Sequence, residues 1–233
     1  MSGPVGVLVP AAGAGVRLGP GAPKALRLLA GEPLLVHAVR GLRACAEVGP
    51  VVVAAPAPDV DAVAALLAPH DVVVVAGGAE RHDSVAAALA ALPAQVGLVL
   101  VHDAARCLTP SAVVTAVVEA LRAGAGAVVP VLPVADTVKR VDGDRVVATV
   151  PRADLRAVQT PQGFRRDLLA AAHAAGGQQH TDDAGMVEAL GHEVVVVPGS
   201  EEAFKVTRPL DLLLAEALLA ARRGADPVPG TRA

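Results

Sequence analysis

Small residues and two cations follow the first apolar run of the chain. Residues 10–19 read PAAGAGVRLG, and Lys24 follows shortly afterwards. Small side chains let backbone N–H groups approach an anion, while Arg17 and Lys24 can neutralise a polyphosphate. The segment therefore predicts a triphosphate cradle, although any glycine-rich turn between a strand and a helix could look similar. A dinucleotide fingerprint is disfavoured for two reasons. The glycines run GxGxxxG, and the acidic residue that such a fingerprint places after the second strand to bind the ribose is missing.

A second glycine-rich segment, GGAERHDS at residues 77–84, follows the third apolar run. Its two glycines expose backbone that can bind the edge of a flat base, and Ser84 can add one specific hydrogen bond. The alternative is that Asp83 or Ser84 only caps the next helix.

The segment VHDAAR at residues 101–106 ends another apolar run. Open α/β sheets bind ligands at the carboxyl ends of their strands. Asp103 there predicts a magnesium ion or a polar contact to ribose or substrate, and Arg106 could hold a second phosphate. The alternative is a surface ion pair, and His102 is interpreted as a packed neighbour.

Lys205, in the segment FKVTRP before the last helical stretch, could reach a transferred phosphate from the side opposite Lys24. A solvated lysine is the alternative. Four weaker polar clusters could line an acceptor pocket, although caps and turns explain each as well. They are Asp136-Thr137, Arg152, Thr160-Pro161-Gln162 and Thr181-Asp182-Asp183. No direct metal ligand is assigned.

The elements that must position these residues alternate along the chain. Valine-rich runs without polar alternation are typical of parallel strands buried on both faces. They lie at residues 5–9, 51–55, 72–75, 98–101, 127–131 and 194–197. Helical stretches are predicted at residues 33–46, 59–67, 83–92, 111–122, 164–174, 182–190 and 209–222. This alternation predicts an α/β fold with a doubly wound, mostly parallel sheet.

One stretch interrupts the alternation. Residues 136–152 are predicted to form a β-arm of two short strands around Asp142-Gly143-Asp144, because Asp-Gly favours hairpin turns. The arm is expected to project from the main sheet and to contact a second subunit. Residues 1–225 are interpreted as one domain and residues 226–233 as a flexible tail.

Composition excludes several classes of protein. The chain has two Phe and no Trp or Tyr, and its net charge of −3 is not clustered, so a nucleic-acid partner is not expected. Its two cysteines have no zinc or disulfide-framework spacing, which favours a reducing cytoplasm. Apolar runs are too short for a membrane span, and no export signal is recognised.

Seven segments together resemble a known family. AAGAGVRLG, GGAERHDSV, VHDAAR, DTVKR, TPQ, TDDAG and KVTRP are similar, in order and spacing, to the 2-C-methyl-D-erythritol 4-phosphate cytidylyltransferases of the non-mevalonate isoprenoid pathway. The resemblance covers nearly the whole chain. It implies transfer of CMP from CTP to 2-C-methyl-D-erythritol 4-phosphate, with dependence on magnesium. It also implies a Rossmann-like sheet and a homodimer in which the arm of one subunit contributes a residue to the partner's site.

The resemblance also implies roles for individual residues. Catalysis would use four cations: Arg17, Lys24, Arg152 from the neighbouring subunit, and Lys205. Nucleotide binding would use Ala11, Ala12, Gly13, Gly15, Gly78, Ala79, Ser84, Asp103 and Ala104. Acceptor binding would use Asp103, Arg106, Thr137, Arg152, Thr181 and Lys205. In-line attack of one phosphate on another requires such cations, since catalysis comes mainly from positioning and charge stabilisation.

Three positions depart from the family's pattern. Ala79 and Leu210 stand where acidic residues are usual, and Cys107 stands where proline is usual. The nearest rival function is transfer to another sugar-alcohol phosphate such as ribitol 5-phosphate, which TDDAG and the arm disfavour. A non-catalytic nucleotide-binding protein and an NAD-dependent dehydrogenase are rivals from other classes; the retained lysines disfavour the former and the glycine spacing the latter.

Overall fold

One eight-stranded sheet organises the computed structural model, which describes residues 3–13, 15–18, 21–176 and 180–225. The strands in those ranges are β1 (Val5–Pro10), β2 (Leu28–Leu29), β3 (Glu32–Pro33), β4 (Val48–Ala55), β5 (Val73–Ala76), β6 (Leu98–Val101), β7 (Ala127–Pro133), β8 (Val138–Asp142), β9 (Arg145–Val150), β10 (Arg156–Val158), β11 (Gln162–Arg165) and β12 (Val195–Pro198). The α-helices are α1 (Leu34–Arg43), α2 (Val60–Leu67), α3 (Arg81–Ala91), α4 (Ser111–Arg122), α5 (Arg166–Ala174), α6 (Asp183–Ala189) and α7 (Pro209–Ala225).

The main sheet is mostly parallel. Its order is β5-β4-β1-β6-β11-β7, and β10 and β12 also pair with β7. β1 is parallel to β4 and β6, β4 to β5, and β7 to β12. β11 runs antiparallel to both of its neighbours, and β10 runs antiparallel to β7. The predicted doubly wound, mostly parallel fold is confirmed.

The strand order reverses at β1. The chain adds β4 and β5 on one side of β1 and then crosses to β6 on the other side. Leu8 of β1 is opposite Val101 of β6, so both strands release their loops at the same edge. Such a reversal opens a crevice at the carboxyl ends of the strands, which is where open α/β sheets bind ligands.

Both faces of the central strands are covered. In β1, Val7 packs into the cluster on the α1 and α4 face, and Leu8 packs into the cluster on the α3 face. This explains the absence of apolar/polar alternation in that run. The prediction of burial on both faces is wrong for the outer strands, since Val73 of β5 is 53% exposed and Val196 of β12 is 58% exposed.

Two parts of the chain differ from the sequence prediction. Residues 162–165 form strand β11, so the helix predicted to begin at Phe164 begins at Arg166. Strand β10 and the small β2–β3 pair were not predicted. Hydrogen bonds to β6 and β7 on either side fix β11, and a local apolar pattern cannot reveal such pairing.

The interruption at residues 136–152 contains the predicted two-stranded hairpin. Among the described residues, β8 and β9 pair only with each other, and Val141 lies opposite Val146. The flexible tail predicted at residues 226–233 lies outside the described residues. No helix in the described part of the chain has both the length and the apolar character that a bilayer crossing needs.

Candidate active site

The loop after β1 brings Lys24 against its own glycines. Gly15 has a φ of +71°, in the left-handed region, and a Cβ there would lie 2.3 Å from Lys24 Cβ. The Lys24 N–H donates to the Gly13 carbonyl oxygen at 3.3 Å. The loop therefore needs glycine at position 15 to fold back on residues 23–26, and this places the lysine at the carboxyl end of β1.

The second glycine-rich segment forms the opposite wall. The Gly78 N–H donates to Ser84 Oγ at 3.2 Å, and the Ser84 hydroxyl donates to the Glu80 carbonyl oxygen at 3.2 Å. Asp83 accepts from the Glu80 N–H at 3.1 Å, so α3 begins at Arg81 and not at Asp83. Ser84 is almost fully buried, and in this structure it holds the glycine loop in place.

Asp103 lies at the carboxyl end of β6 between two cations. Its Oδ2 is 2.6 Å from Lys205 Nζ, and its Oδ1 accepts from Arg81 Nε at 3.3 Å. Burial alone would raise the pKa of Asp103, but Arg81 and Lys205 hold it well below its usual range. Asp103 is therefore a fixed negative charge at neutral pH.

The backbone beneath Asp103 is held by buried polar groups. Its N–H donates to Thr160 Oγ1 at 3.0 Å, and Thr160 Oγ1 is 3.2 Å from His102 Nδ1. Burial lowers the pKa of His102 to about 4, so its ring is neutral and Nδ1 can accept from the Thr160 hydroxyl. His102 is a packed, hydrogen-bonded neighbour of the site, as the sequence indicated.

Lys205 is positioned by hydrogen bonds between the segments that follow β6, β10 and β12. The Val206 N–H donates to the Ala105 carbonyl oxygen at 2.8 Å, which ties this segment to the loop after β6. Gln159 makes two hydrogen bonds to the backbone of Ser200, through Nε2 at 2.8 Å and Oε1 at 3.0 Å. Asp211 accepts from the N–H groups of Thr207 and Arg208 at 2.7 Å and so caps α7.

Two adjoining cavities meet at Asp103, Arg81 and Lys205. The inner cavity, between the loops after β1, β5 and β6, contains most of the residues predicted to bind nucleotide. They are Ala11, Ala12, Gly13, Gly78, Ala79, Ser84, Asp103 and Ala104, and the predicted catalytic residues Lys24 and Lys205 line the same cavity. The outer cavity, toward β10, β11 and α6, contains Asp103, Arg106, Thr181 and Lys205.

The lining of the inner cavity has more cations, Lys24, Arg81 and Lys205, than carboxylates, Glu80 and Asp103. Burial and the neighbouring Lys205 ammonium lower the pKa of Lys24 to about 8, and Asp103 opposes that shift only in part. Arg17, exposed on the short 3₁₀ turn Val16–Leu18, adds to the same field. Lys24, Lys205 and Arg17 repel one another across this cleft, and a bound polyanion would relieve that repulsion.

Arg106 is used differently from the sequence prediction. Its Nη1 donates to the Ala203 carbonyl oxygen at 2.7 Å and its Nη2 to the Val158 carbonyl oxygen at 3.1 Å, while its Nε is buried without a partner. The guanidinium therefore braces the wall of the outer cavity, and its predicted phosphate contact stays a prediction.

Four predicted residues lie outside the lining of both cavities, and they are Gly15, Arg17, Thr137 and Arg152. Thr137 and Arg152 are exposed at the open end of the hairpin, just outside the paired residues Val138 and Val150, and they line neither cavity. Gly15 also lies outside the inner cavity lining and acts through Lys24. A site inside one chain thus lacks the cation expected from Arg152.

Sequence reasoning missed the buried polar network behind the cavities. Arg81 Nη1 donates to Asp183 Oδ2 at 2.6 Å, and His173 Nε2 is 3.0 Å from Asp183 Oδ1. Gln162, also buried, accepts from the Ala184 N–H at 3.1 Å and donates to Asp182 Oδ2 at 2.7 Å. The TDDAG and TPQ motifs marked these segments, but only the fold reveals which side chains meet.

The sequence assigns no direct metal ligand, and the described part of the chain contains no cluster of protein ligands for one. In the described ranges, no three or more His, Cys, Asp or Glu side chains are grouped so that they could hold an ion. Asp103 is the one carboxylate that lines both cavities among those residues, and it is already paired with Lys205 and Arg81.

Comparison with known proteins matches this geometry to one family. The family model described as 2-C-methyl-D-erythritol 4-phosphate cytidylyltransferase matches residues 5–221. The protein of that name from Frankia casuarinae is 61% identical over 223 residues, which cover 95% of this chain and 84% of that protein. Its counterpart from Streptomyces avermitilis is 59% identical over 229 residues, covering 93% and 92%.

A solved structure is similar over almost the same length. The crystal structure of 2-C-methyl-D-erythritol 4-phosphate cytidylyltransferase from Thermus thermophilus is 41% identical and has a TM-score of 0.77. The match covers 93% of this chain and 99% of that one. The likeness therefore extends beyond the loops of the site to the order and packing of the elements that carry them.

Proposed function

The chain belongs to the 2-C-methyl-D-erythritol 4-phosphate cytidylyltransferase family, and from this premise we propose how its two cavities divide the substrates. It is a nucleotidyltransferase that transfers CMP from CTP to 2-C-methyl-D-erythritol 4-phosphate in isoprenoid precursor biosynthesis, releasing pyrophosphate. The inner cavity binds CTP and the outer cavity binds the acceptor. The observation that carries this division is the ion pair between Lys205 and Asp103, which stands where the two cavities meet.

The inner cavity has the chemistry that CTP requires. Backbone at Ala11–Gly13, Gly78 and Ala79 faces the cavity without bulky side chains and can bind base and ribose, with Ser84 close by. Lys24 and Arg17 would hold the triphosphate and stabilise the charge that develops on the leaving pyrophosphate. Backbone N–H groups at residues 12–13 would contact the same anion as Arg17 and Lys24.

The outer cavity would receive the acceptor. Its phosphate oxygen attacks the α-phosphorus of CTP in line, the bond from that phosphorus to the pyrophosphate oxygen breaks, and the electron pair leaves with pyrophosphate. Lys205 would hold the two reacting phosphates together, helped by Arg152 of a second subunit. Asp103, Thr181, Arg106 and Thr137 would contact the acceptor.

A divalent cation fits this site only as part of the nucleotide. The carboxylate common to both cavities, Asp103, is already paired with two cations and is a poor metal cage, whereas Mg²⁺ is often held by substrate phosphates together with one or two carboxylates and water. We therefore propose that Mg²⁺ enters bound to CTP, with Asp103 as the carboxylate that lines both cavities. Its contribution is to neutralise triphosphate charge.

The hairpin supports a homodimer. An isolated pair of strands is marginally stable in water, and three of its valines, Val141, Val146 and Val147, are more than half exposed. A second copy that covers the arm would bury these valines and could bring Arg152 to the outer cavity. The free, buried Cys45 and Cys107 agree with a cytoplasmic enzyme.

The experiment is pyrophosphate release with CTP and Mg²⁺. Release with 2-C-methyl-D-erythritol 4-phosphate, and none with ribitol 5-phosphate, is the expected result. Release only with ribitol 5-phosphate would reassign the acceptor. Tight CTP binding without release for either acceptor would instead indicate a nucleotide-binding protein.

A further inference from the structure

Arg81 is the one residue in the described ranges whose guanidinium joins the site carboxylate to a carboxylate outside both cavities. Its Nε donates to Asp103 Oδ1 at 3.3 Å and its Nη1 donates to Asp183 Oδ2 at 2.6 Å. Asp183 is fully buried and lines neither cavity. The geometry points to Arg81 as a positioning residue that sets the orientation of Asp103, and hence of Lys205, from an anchor at Asp183.

The anchor is rigid because it is held from three elements. Asp183 begins α6, His173 of α5 lies 3.0 Å from its Oδ1, and Gln162 of β11 binds the next backbone N–H, at Ala184. Burial would raise the pKa of Asp183, but the hydrogen bond from His173 and the charge of Arg81 keep it low. A buried, ionised carboxylate with fixed partners holds an arginine in one rotamer.

Each oxygen of Asp103 has a different cation. Oδ1 accepts from Arg81, and Oδ2 is 2.6 Å from Lys205 Nζ. With Oδ1 occupied, Oδ2 is directed to Lys205 at the junction of the cavities. Without Arg81, Asp103 could turn away or pair fully with Lys205, and the lysine would lose its place between the two reacting phosphates.

Charge gives Arg81 a second effect on the same residue. Asp103 and Asp183 are two buried carboxylates that share this guanidinium. If the shared cation were lost, the net charge beside the acceptor phosphate would become more negative, and the phosphate would be repelled. Because Arg81 lines both cavities, loss of its charge would weaken the binding of both anions, and a substitution that keeps the charge is needed to isolate its positioning effect on the acceptor.

This inference rests on the proposed function, and its test separates the two. Arg81→Lys keeps a positive charge but lacks the planar fork that spans both carboxylates. We expect kcat/KM for the acceptor to fall roughly 10- to 100-fold through kcat and acceptor KM, as misplacement of reacting groups predicts. The Kd for CTP, measured by calorimetry, is expected to stay unchanged.

Asp183→Asn is the sharper variant, because Asp183 cannot touch either substrate across the cavity wall. It should lower acceptor kcat/KM in the same way, and the double variant should lose less than the product of the two single losses. Asp167→Asn is the matched control, since it removes the carboxylate of an exposed Arg165–Asp167 pair that lines neither cavity. It should behave as wild type.

Either of two results would overturn the inference while leaving the proposed function intact. The first is an Asp183→Asn enzyme with wild-type acceptor kinetics. The second is an Arg81→Lys loss that appears in the Kd for CTP, which would make Arg81 a nucleotide ligand. Failure of the wild-type chain to release pyrophosphate with this acceptor would instead reject the proposed function.

Discussion

At the scale of single residues, the surroundings of Lys24 lower its pKa into the range where its charge depends on pH. Its ammonium shares the inner cavity with Lys205, and its pKa is about 8 because it is buried beside that second cation. Asp103, Arg17 and Asp211 are the other charges that act on it. In the free enzyme, Lys24 is therefore mostly protonated at neutral pH and loses its proton as the pH rises through about 8. A bound triphosphate would raise the pKa of Lys24.

The pH dependence of CTP binding follows from this. Below pH 8 the free enzyme carries the Lys24 charge; above pH 8 that charge is lost, so the Kd for CTP should rise by up to about tenfold per pH unit. Calorimetric titrations between about pH 7 and about pH 9.5 at constant ionic strength would measure it. Lys24→Arg, which stays charged, should remove the dependence; a wild-type Kd that is constant over this range would contradict the assignment.

Gly15 is the residue that lets Lys24 reach its position. Gly15→Ala would force an alanine into a left-handed conformation, which costs about 1–2 kcal/mol, and would place its Cβ 2.3 Å from Lys24 Cβ. We expect a lower free energy of unfolding by urea and weaker CTP binding. Gly13→Ala is the control for stability, because a Cβ there meets nothing within 4 Å. Equal stability of the two variants would show that the loop tolerates position 15.

At the scale of elements, sequence and structure agree where the periodicity is strong. The valine-rich runs of β1 and β6 and the helix Ser111–Arg122 were predicted within one residue of their ends. Strand β11 was not predicted, since Gln162-Gly163-Phe164-Arg165 has no strand pattern and precedes a helix without a break. Its pairing with β6 and β7 is a tertiary effect, and so is the meeting of Arg81 with Asp183 across α3 and α6.

The loops at the carboxyl ends of strands were the predictable part of the site. Their motifs named Lys24, Asp103 and Lys205, and the fold brings these three into the lining of the inner cavity. The structural use of Arg106 could not be predicted, because its carbonyl partners come from distant segments. Residue type at a strand end thus indicates a site, whereas the partners of each side chain depend on tertiary packing.

Strand β11 provides the prediction at this scale. A Cβ on Gly163 would lie 2.5 Å from Val117 Cγ1 and 2.8 Å from Leu121 Cδ1, so Gly163→Ala overpacks the contact with α4. We expect it to lower the free energy of unfolding by about 1–3 kcal/mol, measured in urea. The same substitution in helix α1, Gly41→Ala, has room for its methyl group and should be neutral or stabilising. A stable Gly163→Ala protein would show that β11 can move away from α4.

At the scale of the whole molecule, the position of Arg152 matters most. The inner and outer cavities contain lysines and arginines from one chain, yet Arg152 is exposed beyond the hairpin and lines neither of them. Among the described residues, the hairpin strands pair only with each other and their valines are exposed. Such a hairpin lacks the apolar packing that a second chain could supply. A two-fold dimer would resolve both features at once, because each arm would complete the other chain's site.

Complementation between two inactive variants tests this arrangement. Arg152→Ala should abolish most turnover while leaving CTP binding nearly intact, and Lys24→Ala should abolish CTP binding. When equal amounts are unfolded and refolded together, half of the dimers are mixed, and each mixed dimer has one site with both cations. We therefore expect about a quarter of wild-type pyrophosphate release to return, as two-fold pairing requires. Separately refolded variants, combined only in the assay, are the control. No recovery from a mixture that sedimentation shows to be dimeric would mean that Arg152 acts within its own chain or not at all.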